Sequence, residues 1–222
     1  MIDEVVRHPT AKTIRLSVDP ATGTARLVVP KRAAMNKALA WAEEKKEWLA
    51  EQRARLPRPR PFVPGSDIPF GDAVLRLQWA EGRARVIQRE GDRLIASGPI
   101  ETLSRRVEAW LKRQALEVLA RETAEVARLA GVAVSKVSVA DPKARWGSCA
   151  STGAIRYSWR LILAPDQVRR ATVAHEVAHC VHMNHAPAFH ALVAELLGED
   201  PGPAIAWLRQ HGAGLHWYGR SS

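Results

Sequence analysis

Along residues 13–18 apolar and polar positions alternate, with Ile14, Leu16 and Val18 on one side, which is the period of a strand. Asp19, Pro20, Ala21, Thr22 and Gly23 form a turn signal, and residues 25–29 supply a hairpin partner. A helix is expected over 33–55, carrying Leu39, Trp41, Trp48 and Leu49 among polar neighbours. Trp41 and Trp48 then share a helical face, which assigns them to packing and not to base stacking. Prolines 57, 59, 61 and 64 interrupt regular structure and read as a linker, surface traverse or extended basic arm. Short strands follow at 68–70, 74–79, 83–88 and 93–96, punctuated by Gly71, Gly82, Gly91 and Gly98. They suggest an antiparallel meander.

The second half changes period. Val107, Trp110, Leu111, Leu116, Leu119, Val126 and Leu129 recur at helical spacing over 100–129, and Gly131 stops the run. Residues 132–140 alternate again. A turn at 143–150 leads into a strand expected over 154–163, which enters another helix at Pro165 and Asp166. Helices are also expected over 187–197 and 203–210. The pattern as a whole is α+β, with an antiparallel or mixed sheet. It divides into a β-rich N-terminal part at 1–98, with its one helix, and a second part at 99–222.

At 222 residues and 46% hydrophobic the chain is one large domain or two small ones, with enough apolar material for a core. No apolar run approaches the ~18 residues of a membrane span. The first residues lack the apolar core of a signal peptide. Cys149 and Cys180 do not make a disulfide framework, so the expectation is a cytoplasmic protein with reduced thiols. The net charge of +10, from 33 Lys+Arg against 23 Asp+Glu, admits a nucleic-acid partner as well as a solvated Arg-rich surface. Binding to DNA that weakens steeply with salt separates the two.

The chemistry concentrates in His175-Glu176-Val177-Ala178-His179, an H-E-x-x-H pattern. Four helical residues advance ~6 Å and turn ~40° beyond a full circle, so His175 and His179 share a face. Two neutral imidazoles there can take adjacent corners of a zinc tetrahedron. Glu176, one step round the turn, can reach a catalytic water without being a ligand, where a general base belongs. The helix is apolar over Val168, Ala171, Thr172, Val173, Val177, Ala178 and Val181, and buried imidazoles and a carboxylate there need partners. His185 offers a third ligand at the spacing H-x3-H-x5-H, with Asn184 expected to turn the chain. Glu199, Glu195 and His182 are rival ligands. Cys180 points away from the ligand set. The strand entering the helix is expected to pair its open edge with an extended peptide.

Three blocks together resemble the YgjP-like metallopeptidases, in the zincin group with the SprT and WLM families. They are Arg145-Trp146-Gly147-Ser148-Cys149, residues 155–165 around Trp159-Arg160-Leu161-Ile162-Leu163, and residues 175–185 followed by Phe189. The resemblance covers about 13–211 and reads that stretch as one continuous zincin-like domain. Ser158 stands where the family pattern has Asn, and Val177 where it usually has Leu. The resemblance implies one Zn2+ per chain on His175, His179 and His185, with Glu176 catalytic. It implies a peptide or protein substrate and puts Arg145, Trp146 and Ser148 near the cleft; these three and Tyr157 are candidates for substrate binding. The SprT likeness raises a second activity, proteolysis confined to DNA-bound proteins; a metal-binding scaffold without turnover is a third reading.

Overall fold

A computed structural model describes residues 1–82 and 84–221. The chain divides into two compact units, Met1–Arg58 and Pro59–Ser222. The first holds a three-stranded sheet of β1 (Glu4–His8), β2 (Arg15–Val18) and β3 (Ala25–Pro30) in the order β1-β3-β2. The hairpin of β2 and β3 is antiparallel, as their alternation indicates. β1, which has no clean alternation, adds in parallel to the other edge of β3. The helix expected over 33–55 breaks at Lys45 into α1 (Met35–Glu44) and α2 (Lys46–Ala54). Trp41 packs on the small core of Leu27, Val29, Ala38 and Ala42, whereas Trp48 remains 38% exposed.

In the second unit the proline-rich segment is tied down, not free. Phe62 is buried in the core, and Arg60 exchanges backbone hydrogen bonds with the C-terminal segment at Trp217 and Gly219. Four strands follow: β4 (Asp67–Phe70), β5 (Ala73–Ala80), β6 (Ile87–Glu90) and β7 (Arg93–Ser97). Arg83, the first residue of one expected strand, lies outside the described residues. The sheet is not the expected meander. Its order is β4-β5-β7-β6, with β5 and β7 parallel. The tight turn at Gly91, φ 62°, commits β6 to β7, and the longer link before β6 lets β7 take the place beside β5.

α3 (Leu103–Ala130) is the long helix expected from the periodicity, ended by Gly131 in the left-handed conformation. A second sheet joins β8 (Lys136–Ala140), β9 (Gly147–Cys149) and β10 (Ala154–Ser158) in the order β8-β10-β9. The strand expected over 154–163 therefore ends at Ser158. Residues Trp159–Leu163 wind into a 3-10 turn whose first free N–H, of Arg160, donates to the Ser158 hydroxyl. The apolar run 161–163 is buried on every side, so its composition carries no period to distinguish strand from turn. α4 (Asp166–Ala178), α5 (Pro187–Leu197) and α6 (Gly202–Leu215) complete the unit.

Two ion pairs anchor this core. Arg169 on α4 donates from Nε and Nη2 to the carboxylate of Glu122 on α3, and both side chains are buried. Arg160 donates to Asp141 at 2.7 Å and to the carbonyls of Leu215 and Tyr218. Burial alone would raise the Asp141 carboxyl, but hydrogen bonds from Arg160 and Lys143 hold it at about 2. Among the described residues no helix is long and apolar enough to cross a membrane.

Candidate metal centre and active-site cleft

α4 projects His175 and Glu176 from its last turn and ends at Ala178. His179 caps it with φ −66°, and tight turns follow, with the His182 N–H on the Ala178 carbonyl. No described non-glycine residue has positive φ, so Asn184 does not turn the chain through the left-handed region. Its side-chain oxygen accepts the Ala186 N–H instead, and Pro187 then starts α5.

This path returns His185 to the helix. Its Nε2 lies 3.4 Å from His175 Nε2, and one nitrogen from each of His175, His179 and His185 falls within 4.8 Å of the others. Two nitrogens bonded to one ion at ~2.0–2.1 Å in a tetrahedron stand about 3.3–3.4 Å apart, so the pair has the separation that a shared ion requires. His179 Nδ1 lies 3.1 Å from the His182 carbonyl. A carbonyl only accepts, so Nδ1 carries the proton and Nε2 keeps its lone pair. The ring of His182 is outside the triad; its backbone orients His179. Burial, with the neighbouring imidazoles of His179, His185 and His190, pushes His175 down to about 4, which keeps it neutral as a ligand must be. Neither Glu195 nor Glu199 joins the group; Gly198, left-handed at φ 78°, ends α5 before Glu199.

Phe189 lies fully buried beneath the three rings. Its centroid is 4.9, 4.5 and 4.8 Å from those of His175, His179 and His185. It is a common platform for all three, which spacing along the chain does not reveal. Glu176 is buried beside His175, and burial raises its carboxyl to about 7 against the opposing pull of Arg145. Gly147 makes room for it: a Cβ there would stand 2.4 Å from Glu176 Oε1.

A cavity of about 440 Å3 opens beside Glu176 and His175, and Arg145 and Trp146 line it. Trp146 is held by stacking on His216, with ring centroids 5.3 Å apart. Ser148 and Tyr157 are not among its lining residues. Ser148 pairs with Arg156 in the sheet. Tyr157 is a core residue, fully buried with its hydroxyl 3.0 Å from Thr123 Oγ1. The expected open edge also moves. β10 is central, flanked by β8 and β9, so the edge strand beside Glu176 is β9, whose residues are half-buried. His190 and Arg209 line the cavity as well, although nothing in their sequence neighbourhoods marks them. Cys180 faces Cys149, sulfur to sulfur at 3.6 Å, and is not part of the histidine group; burial and the second thiol push Cys149 up to about 12.

No curated protein and no solved structure matches the chain. The family described as YgjP-like, metallopeptidase domain, matches residues 12–211. A metallopeptidase domain implies a metal ion and peptide or protein substrates, and the histidine triad can hold such an ion. With that match spanning nearly the whole length, the chain belongs to the YgjP-like metallopeptidase family.

Proposed function

We propose that this protein hydrolyses peptide bonds, with one Zn2+ held by His175, His179 and His185 and with Glu176 as general base. The observation that carries the reading is the 3.4 Å approach of His175 and His185 nitrogens next to a buried carboxylate and an open cleft. Three imidazoles with one position left free suit a catalytic zinc. When bound, the ion supplies Lewis-acid chemistry, polarising the scissile carbonyl and making water acidic enough to lose a proton near neutral pH.

The chain's own residues do the rest. The outer edge of β9, which no strand of the sheet covers, offers backbone groups for an extended substrate to pair with. Glu176, raised to about 7, is matched to proton transfer at neutral pH. It takes a proton from the attacking water as the oxygen–carbon bond forms, and returns it to the nitrogen as the carbon–nitrogen bond breaks. Phe189 and the His182 carbonyl keep the imidazoles in register. Glu176→Gln preserves size and metal ligation but cannot accept the proton. Its purified protein is expected to hold the same metal content as wild type and to lose peptide hydrolysis. A Gln variant as active as wild type overturns the role of Glu176; a metal-loaded wild type that cleaves nothing in a peptide library favours the scaffold reading.

A further inference from the structure

The cavity beside Glu176 has apolar walls drawn from three helices, with Ala171 on α4, Val193 on α5, and Ala204 and Leu208 on α6. At about 440 Å3 it is large enough for one big aliphatic or aromatic side chain and part of the adjoining backbone. Its charged lining is unbalanced. Arg145 and Arg209 both contribute, and the one carboxylate among the lining residues is the buried Glu176.

Arg76, Arg93, Arg160 and Arg169 each pair with a carboxylate of the protein. Arg145 and Arg209 are exposed and have no hydrogen-bond or ion-pair partner among the described residues. Other exposed arginines of the unit, such as Arg113 and Arg121, also lack a carboxylate partner among the described residues, but Arg145 and Arg209 are the described arginines that line this cavity. Each therefore offers an unsatisfied planar fork of donors, the geometry that binds carboxylates bidentately. An apolar side chain seated between these walls would bring the neighbouring residues of its peptide to that charge.

We propose that the protein selects peptides in which an apolar side chain fills this cavity and a carboxylate one or two residues away is bound by Arg145 and Arg209. The carboxylate can come from an Asp or Glu side chain or from the peptide's free C-terminus. The selection concerns substrate preference and so rests on the peptidase reading above, but the binding is measurable apart from turnover.

The test uses four N-acetylated peptides of one length built around Leu: two C-terminal amides with Glu or Gln after the Leu, and a peptide ending one residue after Leu as the free acid or the amide. Binding to the zinc-loaded Glu176→Gln protein is measured by calorimetry, and kcat/KM is measured with wild type. Each acid is expected to bind, and to be cleaved, about tenfold better than its neutral partner at low salt. The advantage is expected to fall below threefold in the double variant Arg145→Gln/Arg209→Gln; the Glu-side-chain and free-terminus pairs identify the carboxylate's source. Equal binding of acid and neutral peptides, or a preference that survives the double substitution, overturns the proposal. If wild type cleaves both kinds alike, only the selectivity fails. If acids bind preferentially but nothing is cleaved, the carboxylate site stands and the peptidase reading fails.

Discussion

Gly147→Ala isolates the position of Glu176, the carboxylate proposed as general base. Gly147 is not among the residues with positive φ, so Ala fits its backbone, and its pairing with Tyr157 survives. The added methyl does not fit: it would lie 2.4 Å from Glu176 Oε1, 2.6 Å from Cγ and 2.7 Å from Cδ, where ordinary contact starts at 3.4 Å. Because Cγ is involved, rotating the carboxylate tip is not enough, and the side chain must retreat by about 1 Å. A displacement of that size in a catalytic group costs about 10²-fold in rate, or about 2.7 kcal/mol of transition-state stabilisation. kcat/KM on a cleaved peptide, read beside metal content and thermal melting, is the assay. The expected result is a hundredfold loss with full metal occupancy and at most a few degrees of lost melting temperature. Activity within threefold of wild type, or loss of the metal together with activity, refutes this account of why the residue is glycine.

Two further predictions concern the scaffold that aims α4. Glu122→Leu removes the bidentate partner of the buried Arg169 guanidinium, which keeps only Asp166 on its Nη1, and should cost at most about 3–5 kcal/mol, seen as a fall in the denaturant midpoint. Adding Arg169→Met should recover most of that loss. Asp141 is held at about 2, below its ordinary 3.8, so the folded state favours its ionised form. That contribution is complete above pH 3.8, shrinks as pH falls towards 2, and is at most about 2 kcal/mol. The stability difference between wild type and Asp141→Asn should therefore be present at pH 6 and fade by pH 2; a constant difference contradicts it.

Much of this was legible in the sequence where a single local rule decides. The 28-residue α3 follows from helical spacing and a glycine stop, and the three histidines follow from their intervals. What escaped depends on partners far along the chain. The strand β1 has no clean period of its own and exists because β3 offers an edge. Tyr157, a candidate for substrate binding on the sequence, is instead turned into the core, because β10 is the central strand. Phe189, His190 and Arg209 acquire their places only when α5 and α6 pack around α4. The break at Lys45 and the end of β10 at Ser158 are tertiary choices within segments whose composition allowed either outcome.

The arrangement of three imidazoles around one ion is tested most directly by zinc titration of metal-free protein against a chromophoric chelator, for wild type and for His175→Ala, His179→Ala and His185→Ala. Wild type should take up one ion per chain, and each substitution should weaken it at least a hundredfold. If the His185→Ala protein binds zinc as tightly as wild type, the third ligand lies elsewhere and the site described here is wrong.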